Sequence, residues 1–95
     1  MKVIAFYELR PEDFDKVIAK DQKLHEERKR FPEKFPKKLF PDCITGYCKG
    51  FVIYEVDNEE QLMNLQMHLF PEMRFKFVPL IDAEKFMETY VKMKK

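Results

Sequence analysis

Between Lys2 and Leu9 the chain is apolar at Val3, Ala5 and Tyr7 and again at the intervening Ile4 and Phe6. Successive side chains of a strand point to opposite faces, so this filling of both phases predicts a strand covered on both sides. Arg10-Pro11-Glu12-Asp13 then places proline at a first helical position and acids in a first turn, where they complement exposed N–H groups. From Pro11 the period becomes helical. Phe14, Val17, Ile18, Asp21, Leu24, Arg28 and Phe31 form one narrow stripe, with Lys16, Lys20, Lys23, Glu27 and Arg30 elsewhere on the helix.

Pro32, Pro36 and Pro41 end that helix, because residues before proline are driven towards extended conformations. Glu33 to Pro36 reads as a surface loop and Lys37 to Cys43 as an edge strand, where a missing N–H donor faces no partner. Ile44-Thr45-Gly46 is the expected turn into a central strand, Tyr47 to Val56, which carries the densest β-branched and aromatic run of the chain. Asp57 with Glu60, or Asn58 with Gln61, can form a capping box for a second helix, whose wide apolar face includes Leu62, Leu65 and Leu69 and stops at Pro71. Met73 to Leu80 alternates strictly and predicts a fourth strand, on an edge because of Pro79. Asp82 can cap a last helix with Phe86, Tyr90 and Met93 on one face.

The order of elements is strand, helix, strand, strand, helix, strand, then a terminal helix. That is the split βαβ arrangement of a ferredoxin-like α+β domain, spanning residues 1–95, with an antiparallel sheet in the order 4-1-3-2 expected from right-handed crossovers. Both helices would then cover one face. Ile4, Phe6, Phe51, Ile53, Phe75 and Phe77 are expected to meet them, leaving Val3, Ala5, Tyr7, Cys48, Val52, Tyr54, Val56, Val78 and Leu80 on the other. So much apolar surface needs a cover.

Gly46-Tyr47-Cys48-Lys49-Gly50-Phe51-Val52-Ile53-Tyr54-Glu55-Val56-Asp57, the following Glu60 and Leu62, and Phe75-Lys76-Phe77-Val78-Pro79-Leu80 are similar to the pattern of a small uncharacterised family of the dimeric α+β barrel superfamily. The resemblance implies two ferredoxin-like protomers with their bare sheet faces together, hence a homodimer through the helix-free face. It implies no catalytic residue. The superfamily includes cofactor-free monooxygenases, muconolactone isomerases, haem enzymes and amino-acid-sensing domains, so fold alone does not select a chemistry. Its haem enzymes use a late liganding histidine that has no counterpart here, and no cofactor is expected.

Composition sharpens this picture at a few points. Ten Phe and four Tyr in 95 residues exceed what a small core needs, which again points to self-association or a pocket. Eighteen basic residues against seventeen acidic ones argue against a protein that grips nucleic-acid phosphates. No run approaches the roughly 20 apolar residues of a membrane span, and the start is too short in its apolar part for a signal peptide, so no membrane partner and a cytoplasmic location are expected. Cys43 and Cys48 lack a second pair for zinc and are expected as free strand thiols.

Small residues at strand centres, Ala5 and Gly50, would leave a hollow beside the sheet. Tyr7, Cys48, Tyr54, Arg74 and Lys76 are the candidates to surround it with Gly50, and two phenols with two cations suit an aromatic or anionic small molecule. The bland alternative is a solid dimer interface with hydroxyls satisfied by partner backbone or water. Asp21 and His25, spaced i, i+4, form a second candidate pair, either a general base with its orienting partner or an edge of the packed stripe. His68 near the end of the second helix reads as a dipole-favoured cap. The basic, phenylalanine-interleaved segment from His25 to Lys38 reads as a solvated helix end with Phe31, Phe35 and Phe40 pinning a loop. Three functions remain open: a small-molecule binder, a cofactor-free oxygenase or isomerase, and a structural or regulatory dimerisation module.

Overall fold

The computed structural model describes residues 1–94. Strand β1 (Lys2–Leu9) leads through a 3-10 turn at Pro11–Asp13 into helix α1 (Phe14–Arg30). A second such turn, Pro32–Lys34, precedes β2 (Lys37–Lys38), β3 (Cys43–Gly46), β4 (Lys49–Glu55), α2 (Glu59–Leu69), β5 (Met73–Pro79) and α3 (Ala83–Lys94). The chain is thus α+β, with one antiparallel five-stranded sheet in the order β2-β4-β1-β5 and β3 also paired to β4.

The expected edge strand from Lys37 to Cys43 is instead two short pieces. Lys38 pairs with Tyr54 and Cys43 with Phe51, so the four residues between them on the edge stand against two on β4. Phe40-Pro41 explains the break, since proline offers no donor and its predecessor is sterically restricted. The hairpin turn also falls later than Ile44-Thr45-Gly46. Gly46 pairs with Lys49, and Tyr47-Cys48 make the turn, with Cys48 in the left-handed region at φ 57°.

Helix α2 begins as its caps require. The Asn58 side chain accepts from the Gln61 N–H at 3.1 Å, and Gln61 Oε1 accepts from the Asp57 N–H at 2.8 Å. Gln61 is buried, and its Nε2 donates to the Glu33 carbonyl at 3.1 Å, which ties the proline-rich loop to α2. Phe35 is buried in that loop, and the His68 ring meets it edge-on at 5.3 Å. His68 Nδ1 also lies 2.9 Å from the Asn64 carbonyl. Asp82 caps α3 through the Glu84 N–H at 2.8 Å.

The two faces of the sheet are reversed from the sequence expectation in β1 and β4. Val3, Ala5, Val52, Tyr54 and Val56 are buried in one cluster with Leu24 of α1 and with Leu65 and Leu69 of α2. Ile4, Phe6, Phe51 and Ile53 therefore lie on the face without helices. Phe75 and Phe77 do pack against the core, as expected. The register is the reason: Tyr7 faces Phe75 and Ala5 faces Phe77, whereas Ile4 faces Val78 and Phe6 faces Lys76. One face cannot hold Phe6 and Phe75 together once β1 and β5 pair this way.

Every residue of α3 is exposed, including Phe86, Met87, Tyr90 and Val91. The radius of gyration is 15.8 Å, against about 12 Å for a compact chain of this length. Helix α3 projects from the body.

Candidate ligand cavity

A cavity of about 430 Å³ lies between α1 and the sheet. Helix α1 supplies Phe14, Val17, Ile18, Asp21, Leu24 and Arg28, the stripe visible in the sequence. Opposite stand Tyr7 of β1, Val52 and Tyr54 of β4, and Phe75 of β5, while the Tyr47-Cys48 turn and Asp42 border the edge-strand side. Beside this wall Ala5 is completely buried, and Gly50 sits opposite Tyr7 in the β1–β4 ladder.

The candidate residues divide between the two faces. Tyr7, Cys48 and Tyr54 line the cavity, and Gly50 lies under the Tyr7 ring. Arg74 and Lys76 stay outside that cavity and border a shallower hollow with Phe6 and Glu8, to which Tyr7 and Gly50 also contribute, and Arg74 Nη2 is 3.6 Å from Glu8 Oε1. The larger of these two hollows sits under α1, and the smaller one lies on the other side of the sheet. In exchange the cavity gains Asp21, whose Oδ2 is 3.3 Å from His25 Nε2. The sequence separated this pair from the tyrosines; the fold brings Asp21 to their wall and leaves His25 exposed behind it.

Burial pushes the Tyr54 phenol up to about 12, with the Asp42 and Asp21 carboxylates adding to the rise and the Arg28 guanidinium opposing it. Tyr7 is also raised, first by burial and then by Asp42, Asp21 and Cys43. Both phenols are hydrogen-bond donors at neutral pH. Asp42 holds the Lys38 ammonium at 3.1 Å. Arg28 stands against Tyr54, whose phenol its charge and a side-chain hydrogen bond both act on; its guanidinium carbon lies 5.9 Å from the centre of the Phe35 ring, and its Nε and Nη2 are buried with no hydrogen-bond partner among the described residues.

Arg28 and Asp42 were not among the candidates. Arg28 had left a trace in the sequence, since a cation seven residues beyond Asp21 shares the apolar stripe and must reach the core side. Asp42 left none, because its approach depends on the broken edge strand. Within the basic segment, Arg30 lies 5.7 Å and Lys34 4.4 Å from the Phe31 ring, so that ring is already stacked by cations of its own chain.

Among the described residues, no three or more His, Cys, Asp and Glu side chains converge as metal ligands, and no helix is long and apolar enough to cross a membrane. No protein-family model matches the chain, and neither a curated protein nor a solved structure matches it.

Proposed function

We propose that this protein binds a small organic molecule between α1 and the sheet and works as a homodimer of ferredoxin-like protomers joined through their helix-free sheet faces. The cavity carries the first half of this reading. Its volume of about 430 Å³ falls within the roughly 300–1,000 Å³ of known ligand sites, and apolar walls with a few converging polar groups are the usual composition of such sites.

The strand order β2-β4-β1-β5 and the placement of α1 and α2 support the ferredoxin-like arrangement. For the dimer, Ile4, Phe6, Phe51, Ile53 and Val78 form an apolar centre on the helix-free face. Both of its ends carry charges of both signs, Lys2 beside Glu55 and Glu8 beside Lys49 and Arg74. Such a patch is self-complementary about a two-fold axis. The exposed apolar side of α3 adds surface that the same partner copy can cover.

A cofactor-free isomerase or oxygenase is the second reading, favoured by Asp21, a carboxylate at the wall beside two neutral phenols with His25 behind it. It expects turnover of an aromatic or lactone substrate that falls in Tyr54→Phe and in His25→Ala. A purely structural module expects no ligand at all.

Thermal denaturation of the protein with a panel of aromatic and aliphatic small molecules decides among these readings. A ligand of the folded state must raise the apparent melting temperature in a saturable way, and Leu24→Trp, which fills the cavity, is expected to remove the shift. No saturable shift with any member of the panel would overturn the binding function.

A further inference from the structure

Arg28 is the arginine of the cavity wall. The Nε and Nη2 atoms lie on one edge of the planar guanidinium, where their N–H bonds run parallel, and in this protein both are buried without a hydrogen-bond partner among the described residues. A buried cation needs either a counter-charge or hydrogen bonds, because desolvation penalises it heavily. Tyr54 is a neutral partner for the guanidinium and supplies no counter-charge, and the acids of the cavity wall are engaged elsewhere, Asp42 with Lys38 at 3.1 Å and Asp21 with His25 at 3.3 Å. Phe35 covers one side of the guanidinium but offers the edge no acceptor.

We infer that the cavity takes an organic monocarboxylate, whose two oxygens accept from Nε and Nη2 of Arg28 while its apolar body lies among Val17, Leu24, Val52, Leu65 and Phe75. This deepens, and rests on, the reading of the cavity as a ligand site. The parallel N–H pair of an arginine matches the spacing of carboxylate oxygens and holds them bidentately. A phosphate monoester would bring a second negative charge into walls that are mostly aliphatic and aromatic, with Asp21 and Asp42 close by. A monocarboxylate balances the one guanidinium without a surplus.

The test is calorimetric titration of phenylacetate, 3-phenylpropanoate and octanoate against their primary amides, with the wild type and with Arg28→Met and Arg28→Lys. Methionine keeps an unbranched apolar stem at the site without the buried charge, and circular dichroism confirms that the variant is folded. The wild type is expected to bind at least one acid ~10- to 100-fold more tightly than its amide, the range of charge-assisted hydrogen bonds. Arg28→Met is expected to erase that preference while still binding the amide, and Arg28→Lys to keep only part of it. The Arg28 Nε–H resonance, assigned by its disappearance in Arg28→Met, is expected to shift on adding the acid and not the amide. Equal affinity for acid and amide in the wild type, or a preference unchanged in Arg28→Met, would overturn the carboxylate assignment and leave the cavity reading intact. Binding of neither series would overturn both.

Discussion

Gly50 lies directly beneath Tyr7. The two are partners across β1 and β4, and a Cβ at position 50 would approach the Tyr7 hydroxyl, lie 2.6 Å from its Cζ and 2.5 Å from the Cys43 carbonyl oxygen. The tyrosine can cross to the cavity wall only because its neighbour has no side chain. Gly50→Ala is therefore expected to cost about 1–3 kcal/mol of stability, as overpacking does. Tyr7→Phe in the same chain should recover part of this, since the hydroxyl goes but the ring Cζ and the Cys43 carbonyl stay. Urea denaturation of the two single variants and the double variant gives the coupling; strict additivity would contradict the contact.

The reversed sheet faces separate two substitutions that a strand pattern alone would treat alike. Leu65 is 1% exposed and meets the buried face, so Leu65→Ala should lose about 2–5 kcal/mol. Phe51 is half-buried on the helix-free face against Phe6, with ring centres 6.2 Å apart. Phe51→Ala should cost the single subunit only about 1 kcal/mol, a fraction of full side-chain burial. Chemical denaturation at concentrations below dimer dissociation compares them, and equal losses would count against the face assignment.

Assembly is tested by neighbouring residues with opposite orientations. Ile53→Glu places like charges in both copies of the helix-free patch and is expected to give a folded 11.6 kDa monomer by sedimentation equilibrium. Val52→Lys buries a second cation in the cavity wall that already holds Arg28 and is expected to unfold the chain instead. In α3, Tyr90→Asp should leave subunit stability within about 0.5 kcal/mol, as exposed substitutions do, and weaken self-association. A wild type that sediments as a monomer at micromolar concentration would exclude the dimer.

Tyr54 predicts how stability responds to alkaline pH. Its folded value is raised to about 12 from the ordinary 10.0, chiefly by burial. The folded state thus holds its proton after the unfolded state has released it. The associated stability is fully present below pH 10 and is lost as pH rises towards 12, by about 2–3 kcal/mol in all. Denaturation curves of wild type and Tyr54→Phe at matched pH isolate this part, because lysines titrate alike in both. Parallel curves from pH 9 to pH 12 would contradict the raised phenol.

The kinds of element, and the limits of the helices and of β1 and β5, were legible in the residues because they depend on neighbours a few positions apart, whereas the break in the edge strand and the place of the turn into β4 were not. Asn58, Gln61 and Asp82 act within one helical turn, prolines act on the preceding residue, and the stripe from Phe14 to Arg28 is a property of one helix. Which side of β1 met the helices was not legible. Val3, Ala5 and Tyr7 are as apolar as Ile4 and Phe6 are, and alternation divides a strand into two sets without saying which is inward. The pairing of β1 with β5 decided it, by putting Tyr7 with Phe75 and Phe6 with Lys76. For the same reason Tyr7, Tyr54 and Gly50 could be chosen from the sequence, whereas the separation of Tyr54 and Cys48 from Arg74 and Lys76 could not. Asp21, Arg28 and Asp42 reach the tyrosines from α1 and from the loop between β2 and β3, across sequence distances over which residue spacing carries no geometry. Only the tertiary fold sets those distances.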